Sequence, residues 1–519
     1  MPSSEPEFDL LILGGGITGA ATAREAALAG LSVALIEKGD FASGTSSKSS
    51  KLVHGGLRYL EQFELGLVYE SCAERAVLSH LAPHLVRPLP FLFPVGERGA
   101  PATLLLSAGL LLYGAIGAGR SLGPTRYLRR GQEVLLTESP ELGPDGFRGA
   151  FRYFDAQADD CLLTLAFLRS AFERGARLRS YTEAVRLLRG RGGAVEGALC
   201  REVETGREEV IRARVTASAL GAWSNLLAQL LETELPEPVH LTRGAHFFLP
   251  QGRLPVSAAT VMLDARNRRC YAIPWRGGTL VGTTDEEHAG PVGEVGPTES
   301  DRAVLLPALQ RFFPGSRIGA HDLLQGFAGL RPLAFEPAHT APEDVSREER
   351  IFEPAPRCIA AVGGKLTTAR RTAGRILQKA RRILARDFGR TFAARDSSKI
   401  PLSGGEIADF SSVQSHIRLQ AHTLLGLSPA LADRILEREG SNAERALERM
   451  SSERELARPL SEALPYTVSD LVWGIEQAFA TTPEDLLARR TRLSWEAPAE
   501  AENARGLAQD LLRNSRRSG

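Results

Sequence analysis

The first forty residues constrain this chain more than any other stretch. Residues 10–13 are a short apolar run that reads as a buried strand. Gly14-Gly15-Gly16-Ile17-Thr18-Gly19 follows, residues 20–29 have helix-forming composition, and residues 32–36 are a second apolar run ending at Glu37. Strand, glycine turn, helix, strand and acid, in that order, are the fingerprint of a dinucleotide-binding βαβ unit. Gly14 permits the tight turn, Gly16 lets backbone approach a pyrophosphate, and Gly19 lets helix and strand pack closely. The helix N-terminus presents N–H groups to phosphate. Glu37 can accept hydrogen bonds from ribose hydroxyls, and its charge disfavours a 2′-phosphate, which argues against NADP.

A chain of 519 residues is too long for one simple core, so two or three domains are expected. The net charge of +1 gives no electrostatic case for nucleic acid. The cysteines at 72, 161, 200, 270 and 358 form no C-x-x-C pair, so neither a disulfide framework nor a zinc site is indicated. His80 and His84 are separated by Pro83 among others and read as structural, not as metal ligands. Glu5, Glu7 and Asp9 stand where a secretory signal would carry positive charge, and a reducing cytoplasm is expected. The most apolar stretch, residues 103–119, is shorter than a spanning helix. It reads as a buried helix, with a helix lying on a membrane surface as the alternative.

Only six of the 63 basic residues are lysines: Lys38, Lys48, Lys51, Lys365, Lys379 and Lys399. A lysine in so arginine-rich a chain is weakly marked as needed for itself, as a compact point charge.

The pattern along the chain predicts an α/β, α+β overall architecture. Helices are expected over 65–82, 161–174 (amphipathic) and up to about residue 388. Strands are expected over 87–95, 178–182, 184–188, 194–201, 209–213, 215–220, 246–249, 270–274, 279–283 and 357–362. Residues 121–150 read as loop-rich. The nucleotide domain is expected to be discontinuous, over 1–85, 150–235 and 325–390. A β-rich cap would take 86–149 and 236–324, and a helical domain 400–519. Within that last region 431–450 and 468–480 carry helical periodicity.

Chemistry-bearing residues gather at a few places. Val362-Gly-Gly-Lys-Leu-Thr-Thr368 is no P-loop, because Ile359 and Leu366 stand where glycine and Ser/Thr are needed. It remains a strand, two glycines and a helix start able to stabilise negative charge. Residues 45–59, TSSKSSKLVHGGLRY, run hydroxyls and amines together and then set His54, Arg58 and Tyr59 beside two glycines. Packed Leu52, Val53 and Leu57 suggest a loop turned onto a ligand rather than into solvent. Arg243-Gly-Ala-His246, Gly282-Thr-Thr-Asp285 and Gly329-Leu-Arg-Pro332 carry polar groups on apolar strands.

Together these segments resemble the FAD-dependent glycerol-3-phosphate dehydrogenases. The likeness spans the whole chain, through TSSKSSKLVHGGLRYLE, FDAQADD, RGAHFFLP, IPWRGGTLVGTTD, GLRPL, VGGKLTT and YTVSDLVWGIEQ…DLLARRTRL. It implies a glutathione-reductase-like FAD domain interleaved with a β-rich substrate cap, plus a C-terminal helical domain. It implies oxidation of glycerol 3-phosphate to dihydroxyacetone phosphate, with electrons passing to a membrane quinone. A peripheral place on the inner face of the cell membrane follows from that, and a homodimer is allowed. Gly14, Gly16, Gly19 and Glu37 would hold the ADP half of FAD, and Thr45, Ser46 and Ser50 its phosphates or flavin. Lys38, Gly221, Gly364, Leu366 and Thr367 complete the implied cofactor set. Arg58, Tyr59, Thr284, Arg331, Arg347 and Lys365 fall at substrate positions, and a desolvated dianionic phosphate needs such cations.

His246 is the first choice for the base that takes the O2 proton as hydride leaves C2, because an unperturbed imidazole titrates near working pH. His54 and Arg331 compete for the role, Arg331 as a stabiliser of the alkoxide. Two departures from the family pattern are Ser218-Ala219-Leu220-Gly221 and Asp159-Asp160-Cys161-Leu162-Leu163. An oxidase using O2 and a non-catalytic FAD-binding redox module stay open as alternatives.

Overall fold

The computed structural model describes residues 7–56, 64–95, 109–110, 112–113, 121–144, 146–235, 239–293, 295–333, 349–393 and 395–518. Two sheets organise it. The first has the order 350–355, 358–362, 208–218, 8–13, 33–36, 177–179. Phe8–Leu13 lies at its centre, parallel to Glu208–Ser218 on one side and Val33–Ile36 on the other. Every residue of Phe8–Leu13 is buried, as a central parallel strand covered on both faces must be. The helices Ile17–Leu28, Asp160–Phe172 and Ala369–Phe388 share one core on a face of this sheet. Beyond it, Glu208–Ser218 continues antiparallel to Val195–Glu202, which pairs with Thr182–Arg189.

The second sheet is mainly antiparallel, in the order 286–287, 240–249, 278–282, 269–275, 259–263, 87–95, 149–157, 52–53. Gly326–Leu333 adds to 240–249 along eight residue pairs. The helix Glu299–Phe312 packs on this sheet through Leu305, Leu309 and Phe312. Phe91, Phe248, Ile273 and Trp275 belong to a separate core cluster, against which Trp495 of the C-terminal region packs.

Several expectations are corrected. Residues 209–213 and 215–220 are one strand, Glu208–Ser218. Its lower half pairs with the hairpin and its upper half with the parallel sheet, so no turn intervenes. Asp160–Phe172 is not amphipathic: all residues from Asp160 to Ala171 are buried. It is covered by Ile17–Leu28 and by the turn Asp485–Arg490 of the C-terminal region, and a helix wrapped on all sides shows no polar stripe. Residues 431–450 split into Pro429–Glu439 and Ala443–Ser452 at Gly440, whose φ of +59° ends the first helix. The helix from Val468 stops at Glu476, before Phe479 at φ +58°. Residues 121–150 contain the strand Arg126–Arg129 and the helix Glu133–Glu138.

The sheets also cut the chain differently from the expected domain limits. Gly149–Gln157 pairs with Arg87–Val95 over nine residues, and Gly326–Leu333 with His240–Leu249. Both strands lie in the second sheet, although 150–157 and 325–333 were expected in the nucleotide domain. The short strand Leu52–Val53 pairs with Gly149–Gln157 as well. Apolar runs look alike in either sheet, so the pattern names strands without naming partners.

Candidate active site

The glycine turn sits where the first sheet reverses strand order, beyond the C-terminal ends of Phe8–Leu13 and Glu208–Ser218. That is where open α/β sheets bind ligands. Gly14 has φ +106°, and a Cβ there would meet the Ala219 carbonyl oxygen at 2.5 Å. A Cβ on Gly19 would lie 1.9 Å from the Gly14 carbonyl oxygen. A Cβ on Gly16 would face Ser46 Oγ at 3.1 Å. The first turn of Ile17–Leu28 has N–H groups that no helical carbonyl can reach. Ser46 Oγ takes the Ile17 N–H at 2.9 Å.

Glu37 closes the turn from below. Its two carboxylate oxygens accept from Gly15 N at 2.8 Å and Gly39 N at 3.0 Å. Burial pushes its carboxyl above the ordinary carboxylate range, and these two N–H donors pull against that shift. Lys38 places its ammonium 4.3 Å from the Trp223 ring centre, beside Gly221 at φ +56°. This bare-backbone cradle, helix N-terminus and acid fit the ADP half of a dinucleotide.

The second part of the site lies where the 45–51 loop crosses the cap sheet. Thr45 Oγ1 donates to the Leu330 carbonyl, and a Cβ on Gly329 would meet Lys48 at 2.9 Å. Ser50 Oγ is 2.8 Å from His246 Nε2. His246 is 1% exposed, stacks on Phe327 at 5.1 Å, and among the described residues has no hydrogen-bond partner on Nδ1. Gly282 makes room for its ring, since a Cβ there would meet His246 Cδ2 at 2.4 Å. Gly244 does the same for Arg331, whose Nη2 would lie 2.1 Å from such a Cβ. Residues 244 and 246 share a face of one strand, so Arg331 and His246 are neighbours.

Two expectations about side chains change here. Burial, then Arg331, then Lys51 hold the His246 pKa well below its ordinary value. The imidazole is therefore neutral throughout the physiological range and does not titrate near 6.5, which removes the reason first given for choosing it. Thr284 is 1% exposed; its hydroxyl donates to Asp301 at 2.6 Å and accepts from Ala245 N at 2.9 Å. Its side chain therefore braces the strand.

Arg331 is held by Asp285 at 3.0 Å, by the Thr284 carbonyl at 3.1 Å and by Thr283 Oγ1. Lys365 lies between Gly364, at φ +92°, and Leu366, in the turn before Ala369–Phe388. Thr367 Oγ1 accepts from His54 N at 3.2 Å, joining that turn to the end of the 45–54 segment. Arg58, Tyr59 and Arg347 lie outside the described residues. So do most of residues 103–119, of which Leu110 and Tyr113 are described and buried.

Two further polar groups were not among the expected site residues. Asp301 accepts from Thr298, Thr284 and Arg243, and the spacing Thr298-x-x-Asp301 was a legible capping box. Lys51, Asp159 and Asp160 meet Arg492 in a buried cluster behind the 45–51 loop. Lys51, Asp159, Asp160 and Arg492 stand in the segments TSSKSSKLV, FDAQADD and DLLARRTRL, but nothing in their order announced the contact.

Residues 9–377 match the FAD dependent oxidoreductase family, and residues 396–515 the C-terminal domain of alpha-glycerophosphate oxidase. The cradle is therefore that of an FAD-dependent oxidoreductase. An aerobic glycerol-3-phosphate dehydrogenase of Bacillus subtilis is 33% identical over 93% of this chain and 87% of its own length. Glycerol-3-phosphate dehydrogenase 2 of Mycobacterium bovis is 35% identical over 95% of this chain and 82% of its own. The crystal structure of the Bacillus halodurans glycerol-3-phosphate dehydrogenase complexed with FAD superposes with a TM-score of 0.78. It is 27% identical and covers 99% of this chain and 91% of that one. The chain belongs to the glycerol-3-phosphate dehydrogenase family.

Proposed function

We propose that this protein oxidises glycerol 3-phosphate at C2 to dihydroxyacetone phosphate and passes the electrons to a membrane quinone. The observation that carries the reading is identity of 33–35% over nearly the whole chain with dehydrogenases of that name. FAD, when bound, supplies the hydride acceptor. Gly14, Gly16, Gly19 and the N-terminus of Ile17–Leu28 would hold its ADP half, and the 45–51 loop and the Gly364–Thr367 turn its far end.

His246 would meet the O2 hydroxyl as a neutral imidazole. A tautomer protonated at Nε2 donates to Ser50 and leaves Nδ1, which has no partner among the described residues, to accept the O2 proton. Arg331 beside it would stabilise negative charge on O2. A low imidazole pKa makes a weak base, so that electrostatic help matters. Arg58, Arg347 and Lys365 would share the phosphate, for which arginine offers paired donors. His54 is the rival acceptor.

Quinone use brings peripheral attachment to the inner face of the cell membrane. Among the described residues no helix is long and apolar enough to cross one. The match of 396–515 to an oxidase domain favours a second reading, with O2 as acceptor. Single-turnover reoxidation of the substrate-reduced enzyme separates the two. A soluble quinone should restore the yellow colour much faster than air-saturated buffer. Faster reoxidation by oxygen, with peroxide formed, would make the protein an oxidase.

A further inference from the structure

The C-terminal helical region reaches the active site through one short segment. Arg492 follows the π-helical turn Asp485–Arg490, at φ +75°, and its side chain is 1% exposed. Its guanidinium donates to Asp159 at 2.6 Å, to Asp160 at 2.7 Å and to the Ser47 carbonyl at 3.1 Å. Lys51 Nζ donates to the same Ser47 carbonyl at 2.7 Å and to Asp160 at 2.8 and 2.9 Å. Ser49 donates to Asp160 from its N–H at 2.9 Å and its hydroxyl at 2.7 Å. The 47–51 loop is thus tied to one carboxylate, and Arg492 grips both. Ser50, inside the tied loop, reaches His246 Nε2 at 2.8 Å.

Three residues further on, Trp495 packs edge-on against Phe327 at 5.0 Å. Phe327 stacks on the His246 ring at 5.1 Å. The same short segment therefore acts on the edge of one imidazole through Ser50 and on its face through Phe327.

We propose that Arg492 and Trp495 are positioning residues for the oxidation, fixing His246 through the 47–51 loop and through Phe327. The proposal rests on the reading of His246 as the proton acceptor. Arg492 satisfies two carboxylates and a carbonyl with one planar fork, a geometry that lysine cannot copy. Displacing a reacting group by about 1 Å can cost on the order of 100-fold in rate.

The test uses the full-length, FAD-loaded enzyme and the variants Arg492→Lys, Trp495→Leu and Trp495→Phe. Flavin reduction by glycerol 3-phosphate is followed without oxygen, as limiting rate per bound flavin and as half-saturating concentration. FAD content and melting midpoint are measured beside it. In Arg492→Lys and Trp495→Leu the limiting rate per bound flavin should fall about 10-fold or more. The half-saturating concentration should stay within about 3-fold, the split expected when orientation rather than binding is lost. Trp495→Phe should restore most of the rate. Lower melting or FAD content with a wild-type rate per bound flavin would reduce both residues to structural supports and overturn the proposal. If Arg492→Lys does not fold, the two Trp495 variants decide alone. Absence of any reduction in the wild type would instead remove the functional reading itself.

Discussion

Gly19 shows how much one missing carbon decides. A side chain there would collide with the Gly14 carbonyl oxygen, which is backbone and cannot turn away. Gly19→Val should give a colourless protein with less than a tenth of the wild-type FAD content; normal FAD content would contradict the cradle. These glycines were readable because their job is set by backbone geometry, which sequence order carries. His246, expected from the sequence to titrate near working pH, is held neutral by its surroundings. Its pKa is lowered first by burial and then by Arg331 and Lys51, all set by parts of the chain distant in sequence. His246→Ala should slow flavin reduction by roughly 100-fold. Because the buried imidazole stays neutral, the wild-type rate should show no inflection near pH 6.5. An inflection there that disappears in His246→Gln would contradict the neutral assignment.

At the scale of elements, the 45–51 loop owes its shape to the helix Asp160–Phe172 behind it. Asp160 accepts from buried Lys51 and Arg492 and from half-buried Ser49. Asp160→Ala would leave two buried cations without that partner, which costs about 3–5 kcal/mol. The expected readout is a clearly lower unfolding midpoint together with partial loss of FAD. An unchanged midpoint would show that the cluster carries little. Helix and strand positions were largely legible here, since 8–13, 87–95 and 358–362 announce themselves by apolar runs. Which face each helix buries was not. Asp160–Phe172 looked amphipathic because its polar Asp160, Thr164 and Arg169 are buried and partnered, by contacts hundreds of residues away or by its own backbone.

The whole molecule interlocks two sheets and a helical region through buried charge. Arg276 from the cap donates to Asp159 at 2.7 Å, Asp159 binds Arg492, and Arg490 binds Asp40. Asp159, Arg276 and Arg492 each stand in a segment that carries the family likeness, but nothing in the order of residues pairs them with one another, or Arg490 with Asp40. The molecule also contains histidines that fold uncharged. Burial, with Arg169 and Arg87 nearby, brings His84 down to about 3, and His246 is depressed as well. Unfolded histidine titrates near 6.5, so below that pH the unfolded chain binds more protons than the folded one. Stability therefore falls as pH drops below 6.5, by about 1.4 kcal/mol per pH unit for each such histidine. The urea midpoint should fall between pH 7 and pH 5, and His84→Phe should flatten that fall; equal midpoints at both pH values would contradict it.

The reading of the molecule as a glycerol-3-phosphate dehydrogenase meets its most direct test in the colour of the purified yellow protein. Under anaerobic conditions, glycerol 3-phosphate should bleach the visible flavin absorbance and release dihydroxyacetone phosphate in equal amount. Glycerol, which lacks the phosphate that the proposed cation set would hold, should leave the colour unchanged over the same time. Persistent colour with glycerol 3-phosphate, in protein that carries its full complement of FAD, would contradict the account.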